Sequence, residues 1–325
     1  MYVRSDKIRL RKGVVFMKKT LSFLLSLVML FSCLPLFCFA QVGEAVPFKN
    51  SGYFEFGDYS LHYRTYGDIR SCRARVMLLH GFGLSSVSLE GVAEEYEKEN
   101  YFVVTPDVPN FGYSSRETEK TKLLSREELV FALMEHFGGK WIIGGHSMGG
   151  GIAVNVALSH PESVTGLVLF APQTSAEAGG ITAKLMKSKF MQAVFGAIIG
   201  LVKPFPNLVR PLVAVSFSDL KLAKDYDVSK IAAPLALKGT GAGIAVMSSH
   251  TCGTDLEAFS ALKVPAVIIT AKNDMVANKK NLQSLIDCAP EGTVVYCVQK
   301  GGHMMMEYDP QNTAALTLPV MEKMK

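Results

Sequence analysis

The sequence is short of several things, and each shortage removes a class of function. Its 325 residues include six cysteines, and none stands at zinc-ligand spacing from a neighbouring histidine. A zinc module is therefore not expected, nor any other bound metal. No Gly-Lys-Ser/Thr follows the glycine-rich turn near residue 147, and no Gly-x-Gly-x-x-Gly can be read there. A phosphate-cradling nucleotide loop is not expected, and no cofactor is implied. There is no internal repeat and no low-complexity linker. Charge is scarce once it is located. The net charge is +5, but residues 1–40 carry +6 (Arg4, Lys7, Arg9, Arg11, Lys12, Lys18 and Lys19 against Asp6), which leaves −1 for the rest. A near-neutral body offers nucleic acid no basic footprint.

What is present begins with the N-terminus. Lys18-Lys19 is a short basic region, and Leu21 to Phe37 is almost wholly apolar, broken by Pro35. Cys38-Phe39-Ala40 puts small residues at −3 and −1 of a cut before Gln41. Residues 1–40 therefore read as a secretory signal peptide, with Met17 a better start than Met1. A secreted, periplasmic or cell-envelope protein is expected. The alternative is an uncleaved anchor, since Thr20 to Ala40 is long enough to span a bilayer. Four cysteines follow the cut: Cys72, Cys252, Cys288 and Cys297. Cys288 should end a helix and Cys297 should sit well inside the next strand, too far apart to bridge, so free thiols are expected.

The body alternates strands and helices. Tyr53 to Phe56 and Ser60 to Tyr66 alternate apolar and polar residues around Gly57-Asp58, which predicts an edge hairpin. Continuous apolar runs at Arg75–Leu79, Tyr101–Thr105, Trp141–Ile143, Val164–Phe170, Val264–Thr270 and Thr293–Val298 predict buried parallel strands. Helices are expected at Ser86–Asn100, Ser125–Phe137 (opened by a Ser125/Glu128 capping box), Ile152–His160 and Asn278–Cys288, with a last one from Pro310. This is an α/β architecture, a mostly parallel sheet flanked by helices. Residues 173 to about 255 break the alternation. They are rich in Ala, Met, Phe and Leu with proline breaks at 204, 206 and 211, and read as a helical cap inserted over the carboxyl edge of the sheet. The expected division is a core over 41–172, the cap over 173–255 and the rest of the core over 256–325.

One stretch organises the rest: Trp141-Ile142-Ile143-Gly144-Gly145-His146-Ser147-Met148-Gly149-Gly150-Gly151. It reads strand, Gly-x-Ser-x-Gly, helix, the context in which a serine protrudes from a sharp turn. A hydroxyl is a weak nucleophile and needs a base, and the base needs an orienting carboxylate. His303, in Gly301-Gly302-His303-Met304 after the last strand, is the expected base. His80, His146 and His160 suit packing or backbone hydrogen bonds better, and His62, His136 and His250 have no supporting context. Asp274, after the Val264–Thr270 strand, is the expected carboxylate, with Glu177 as the fallback. His80-Gly81-Phe82-Gly83 ends a strand next to the serine strand. The backbone N–H groups of Phe82 and Met148 are expected to share the charge of an oxyanion.

These motifs resemble the large lid-bearing α/β-hydrolase family. The resemblance rests on His80-Gly81-Phe82-Gly83, the Pro106-Asp107-Val108-Pro109-Asn110-Phe111-Gly112-Tyr113-Ser114 loop, Gly145-His146-Ser147-Met148-Gly149-Gly150, Asn273-Asp274, and Gly302-His303 with Glu307 and Asp309-Pro310 after it. It runs from about Ser51 to the C-terminus. Asn110 departs from it, standing where the family often has glycine. The resemblance implies the α/β-hydrolase fold, a Ser147–His303–Asp274 triad and hydrolysis. Serine at 147 argues against the branches that use aspartate. The Gly-His-Ser-Met-Gly-Gly elbow is similar to that of monoacylglycerol lipases and carboxylesterases, which points to a small acyl ester or lipid as substrate. A carbon–carbon or amide hydrolase on the same triad, or a ligand-binding protein on a retired hydrolase fold, remain as alternatives. Between Ile181 and Ser218 the charged residues are Lys184, Lys187, Lys189, Lys203 and Arg210, with no acid. Two readings of the cap stay open: its apolar helix, Phe190 to Val202, packs on the sheet's edge and lines an acyl pocket, or its cations beside that helix also bring the protein to an anionic lipid surface as a peripheral membrane contact.

Overall fold

The turn at Gly57-Asp58 does what the alternation around it predicts. Strand β1 (Ser51–Phe56) pairs antiparallel with β2 (Tyr59–Tyr66). The continuous apolar runs become β3 (Arg75–Leu79), β4 (Phe102–Pro106), β5 (Trp141–His146), β6 (Val164–Phe170), β7 (Ala266–Ala271) and β8 (Val294–Val298). The eight strands form one sheet in the order β1-β2-β4-β3-β5-β6-β7-β8. Pairing is parallel from β4 through β8, and β2 meets β4 antiparallel. Strands β4, β5 and β7 are buried at every position. A strand buried on both faces needs apolar residues at successive positions, which is why these runs do not alternate. The computed structural model describes residues 47–174, 184–185, 188–248 and 253–324. The expected signal peptide, Glu177, Lys187, His250 and Cys252 lie outside the described residues.

Before the insertion, the helices are α1 (Glu90–Lys98), α2 (Arg126–Phe137) and α3 (Met148–Ser159). The capping box at the start of α2 is present: Glu128 N–H donates to Ser125 Oγ, and Ser125 N–H donates back to the Glu128 carboxylate. The helix expected over Ser86–Asn100 starts late. Ser86–Leu89 is a 3₁₀ turn, and the Ser86 N–H donates to Asp107 Oδ1 at 2.6 Å. Between β6 and β7 the chain forms α4 (Lys189–Gly200), α5 (Arg210–Phe217), α6 (Leu220–Asp225), α7 (Ser229–Leu235), α8 (Thr240–Met247) and α9 (Leu256–Ala261). After β7 come α10 (Lys279–Asp287), α11 (Met305–Tyr308) and α12 (Pro310–Met321). Cys72, Cys288 and Cys297 are free thiols.

The insertion rests on loops that leave the carboxyl ends of the strands. Ser218 Oγ donates to Asn273 O at 2.6 Å, and Tyr226 O–H donates to Glu307 Oε1 at 2.6 Å. The Arg116 guanidinium donates to Thr240 Oγ1 at 3.1 Å. These bonds tie the inserted helices to the segments after β4, β7 and β8.

Candidate active site

Ser147 occupies the turn between β5 and α3 with φ 51° and ψ −117°. That region is unfavourable for a residue with a β-carbon, by about 1–3 kcal/mol, and persists only where the surroundings impose it. They do so here by close approach. A β-carbon on Gly149 would collide with the backbone of Leu79 and His80, and one on Gly145 with Leu79 O and the Gly149 carbonyl. Helix α3 can therefore start directly against β3 and β5 only because both positions are glycine. The turn is closed by Ser147 N–H to Phe170 O at 2.9 Å and by Gln173 N–H to Ser147 O at 3.0 Å. Met148 opens α3, so its N–H is one of the amides that no intrahelical carbonyl can satisfy.

His303 follows β8 in a short 3₁₀ turn, Gly302–Met304, and Asp274 follows β7. The fold brings these two together: His303 Nδ1 lies 2.7 Å from Asp274 Oδ2, and both side chains are nearly closed to solvent. Asp274 Oδ1 accepts from the Val276 and Ala277 amides at 2.8 and 2.9 Å. Burial works against the charged carboxylate, but the His303 hydrogen bond, the charge of His303 and these two amides outweigh it and hold the pKa below the ordinary aspartate value. An ionised Asp274 accepts a hydrogen bond from Nδ1–H, which keeps the proton on Nδ1 and puts the ring's lone pair on Nε2. Asn273 supports the pair from behind, its Oδ1 accepting the Gly302 N–H at 3.1 Å.

His146 links this pair to the serine. Its ring lies edge-on to the His303 ring with centroids 4.6 Å apart, and a side chain at Gly81 would strike the same ring and come within 3.3 Å of Ser147 Cβ. Burial, then the neighbouring His303, hold His146 well below the ordinary histidine pKa. The packing role expected of His146 is therefore present, and it falls inside the site: the ring is a neutral spacer that touches both the serine turn and the histidine. The Gly81 turn is closed by Leu84 N–H to Gly81 O at 3.2 Å and carries Phe82, whose ring packs edge-on against Phe111 at 5.2 Å.

That turn is braced from β4. His80 Nε2 accepts the Val108 N–H at 2.9 Å, so Nδ1 carries the proton and donates to Gly81 O at 2.8 Å. Asp107 beside it accepts from Ser86 N–H and Tyr113 N–H, and from His62 Nδ1 at 2.7 Å. Burial, the largest influence, opposes its charge, but the His62 hydrogen bond, the charges of His62 and His80 and the Ser86 amide together outweigh it and lower its pKa. His62 Nε2 in turn takes the Ser51 hydroxyl at 2.7 Å. No neighbouring motif singles out His62 in the sequence. The structure makes it the middle of a second Ser-His-Asp chain, in which His62 and Asp107 are fully buried and Ser51 is half-buried, and which anchors the loop after β4. Asn110 has φ 77°, which explains why glycine serves at such a position, and its amide clamps Glu117 through bonds of 2.7 Å in both directions. Among the described residues, no group of three or more His, Cys, Asp or Glu could hold a metal ion.

Known proteins resemble this chain in sequence and in fold. A pimeloyl-[acyl-carrier protein] methyl ester esterase of Vibrio vulnificus is 32% identical over 120 residues, covering 36% of this chain and 44% of that protein. The chain spans less than two thirds of the length of the first curated relatives that it matches. Among solved structures, an enol-lactonase from Burkholderia xenovorans superposes with a TM-score of 0.66 at 14% identity, over 83% of this chain and all of that one. A thermophilic esterase from Thermogutta terrifontis gives 0.62 at 18% identity, over 82% and 95% of the two chains. The family model described as alpha/beta hydrolase fold matches residues 74–310, from just before β3 to the start of α12 and so across every strand end discussed above. The strained serine turn, the sheet order and the loops at its carboxyl edge thus sit in a chain that belongs to the α/β-hydrolase family.

Proposed function

We propose that the protein is a serine hydrolase that cleaves carboxylic esters through an acyl-enzyme. The observation that carries this reading is a serine forced into a strained turn at the end of β5, on the same sheet edge as a buried His303–Asp274 pair 2.7 Å apart. The Ser147 hydroxyl attacks the acyl carbon while His303 Nε2 takes its proton. The carbonyl electron pair moves to oxygen, where the Phe82 and Met148 N–H groups receive the negative charge. When the carbonyl re-forms, the carbon–oxygen bond to the alcohol breaks and His303 returns the proton to the leaving oxygen. Water then repeats the sequence on the acyl-enzyme. Asp274 keeps the Nδ1–H tautomer throughout and steadies the imidazolium. No step needs a cofactor.

Esters are preferred as substrates because an esterase is among the relatives 32% identical to this chain. The fold alone would serve other carbonyl chemistry equally well. A fluorophosphonate probe and a short p-nitrophenyl ester test the reading together. Ser147→Ala should abolish labelling and cut turnover by about 10⁴-fold or more with unchanged thermal melting. Labelling that survives in Ser147→Ala would place the nucleophile elsewhere, and an unlabelled wild type would leave a binding protein. We also propose that the enzyme acts outside the cytoplasm, on the basic, apolar and small-residue pattern of residues 1–40.

A further inference from the structure

Helices α4 and α5 are built unlike ordinary surface helices. Such a helix keeps one apolar stripe inward and a polar face outward. The segment leading through α5 is apolar on both sides. Val209, Val213 and Phe217 are buried, while Leu208, Leu212 and Val215, spaced at i, i+4 and i+7, point outward. Leu212 is 66% exposed and Leu220, just beyond, is 77% exposed. Helix α4 contains no buried residue, and its only polar side chains are Lys189 and Gln192; its Phe190 is 71% exposed. Eight of the fourteen large hydrophobic residues exposed among the described residues fall between 185 and 220. Scattered exposed apolar residues need no explanation, but a concentration of this kind marks an interaction surface.

The charge around it chooses the partner. From Ile181 to Lys224 the chain carries Lys184, Lys187, Lys189, Lys203, Arg210, Lys221 and Lys224 against a single acid, Asp219. Lys189 stands 3.5 Å from Glu119, and Arg210 bonds the carbonyls that end α6, whereas Lys184, Lys203, Lys221 and Lys224 are exposed. The rest of the chain after residue 40 is slightly acidic, so this cationic sign is local. The surface also adjoins the reactive edge. Ser218, which caps α5, holds Asn273 next to Asp274, and a side chain on Gly302 would meet Ser216 O. Phe82, Met275 and Val276 continue the exposed apolar rim around the same edge. Among the described residues no helix is long and apolar enough to cross a membrane.

We propose that the outward face of α4 and α5 lies on an anionic phospholipid surface, with Leu208, Leu212, Val215 and Phe190 in the acyl boundary and the lysines at the headgroups. This face would bring the serine edge toward substrate held in, or leaving, the bilayer. The binding itself does not rest on the hydrolase reading, because it needs no turnover.

Flotation with vesicles tests the proposal. The unit from Val46 to Lys325, which is compact by itself and holds the whole sheet and core, keeps the apolar stretch Leu21–Phe37 out of the measurement. It should bind vesicles of equal parts phosphatidylcholine and phosphatidylglycerol and bind pure phosphatidylcholine weakly. Lys203→Glu and Lys221→Glu should each weaken anionic binding about fivefold or more. Leu208→Ser with Leu212→Ser should weaken it at least about tenfold. Melting and turnover of a short soluble ester should not change in these variants, and Ser147→Ala should bind like the wild type. Equal binding by wild type and variants overturns the proposal. So does a wild-type dimer that Leu212→Asp splits without any vesicle binding, which would assign the face to a second copy of the chain.

Discussion

Replacing Glu307 with glutamine should remove a loss of stability that the wild type suffers as pH rises. Glu307 lies four residues after His303, on α11, and its Oε1 accepts the Tyr226 hydroxyl from the inserted helices at 2.6 Å. The residue as a whole is partly exposed, but its Oε2 is closed off from solvent and has no hydrogen-bond partner. Burial raises its pKa from 4.5 to about 7, against the pull of the Tyr226 hydrogen bond and of Lys230, and with help from the charge of Glu90. A carboxyl that holds its proton more tightly in the folded chain stabilises the fold only while protonated. That contribution is complete below about 4.5 and is lost as pH rises through about 7. At about 1.4 kcal/mol per pH unit, the loss amounts to roughly 3 kcal/mol as an upper figure. A glutamine side chain at this position would keep an acceptor for Tyr226 and carry no charge. Urea unfolding at pH 5 and pH 8 reads the effect. The wild type should lose up to about 3 kcal/mol more than Glu307→Gln between the two values, several degrees in melting temperature for a unit of this size. Equal pH dependence in the two proteins would mean that Glu307 is ionised in the fold at all these pH values, and that its burial does not hold the proton.

Other consequences are as concrete. Asp274→Asn should cost up to about 10⁴-fold in ester turnover through the wrong His303 tautomer, while Glu177→Gln should be mild; the reverse ranking, read from kcat/KM, would move the acid to Glu177. Glu117 accepts from Tyr59, Asn110 and twice from Arg126, all nearly closed to solvent. Glu117→Ala should therefore cost about 3–5 kcal/mol in urea unfolding, because the Arg126 charge stays buried without it. Expression in a secreting host should give a mature N-terminus at Gln41, and sequencing that begins at Met17 or Met1 would favour a retained anchor instead.

The parts of the molecule that are legible in the sequence are those where chemistry or periodicity demands a residue type at a place. The Ser147 turn announces itself because strand, glycine, serine, glycine and helix must follow in that order, and His303 and Asp274 fall where strands end. The hairpin at Gly57-Asp58 and the Ser125/Glu128 cap are local events within a few residues, so local sequence carries them. Tyr226 and Glu307 are 81 residues apart, and His62 and Asp107 are 45 apart. Neither pair has a spacing rule, since only the finished sheet brings them together. His146 stands in plain view, but its place in the site is hidden for the same reason: nothing in Gly-His-Ser shows that the ring will meet His303. The late start of α1 is a further case. Ser86–Leu89 looks helical by its neighbours but forms a 3₁₀ turn, and its first amide goes to Asp107 after the neighbouring strand β4, a partner that no local spacing reveals.

The two classes of residue do different work, and the insertion joins them. Strand-end loops carry Ser147, His303 and Asp274, the residues proposed as nucleophile, base and acid, and glycines beside them allow the close approach each needs. The inserted helices carry no member of that set among their described residues, yet they hold it in three places: Ser218 on the Asn273 carbonyl, Ser216 against Gly302, and Tyr226 on Glu307. Asn273 and Gly302 are the immediate neighbours of Asp274 and His303, and Glu307 is one helical turn further on. A shift of α5 by a fraction of an ångström therefore reaches the acid–base pair through one hydrogen bond, without passing through the sheet. The insertion and the His303–Asp274 pair are in this way tied at three points.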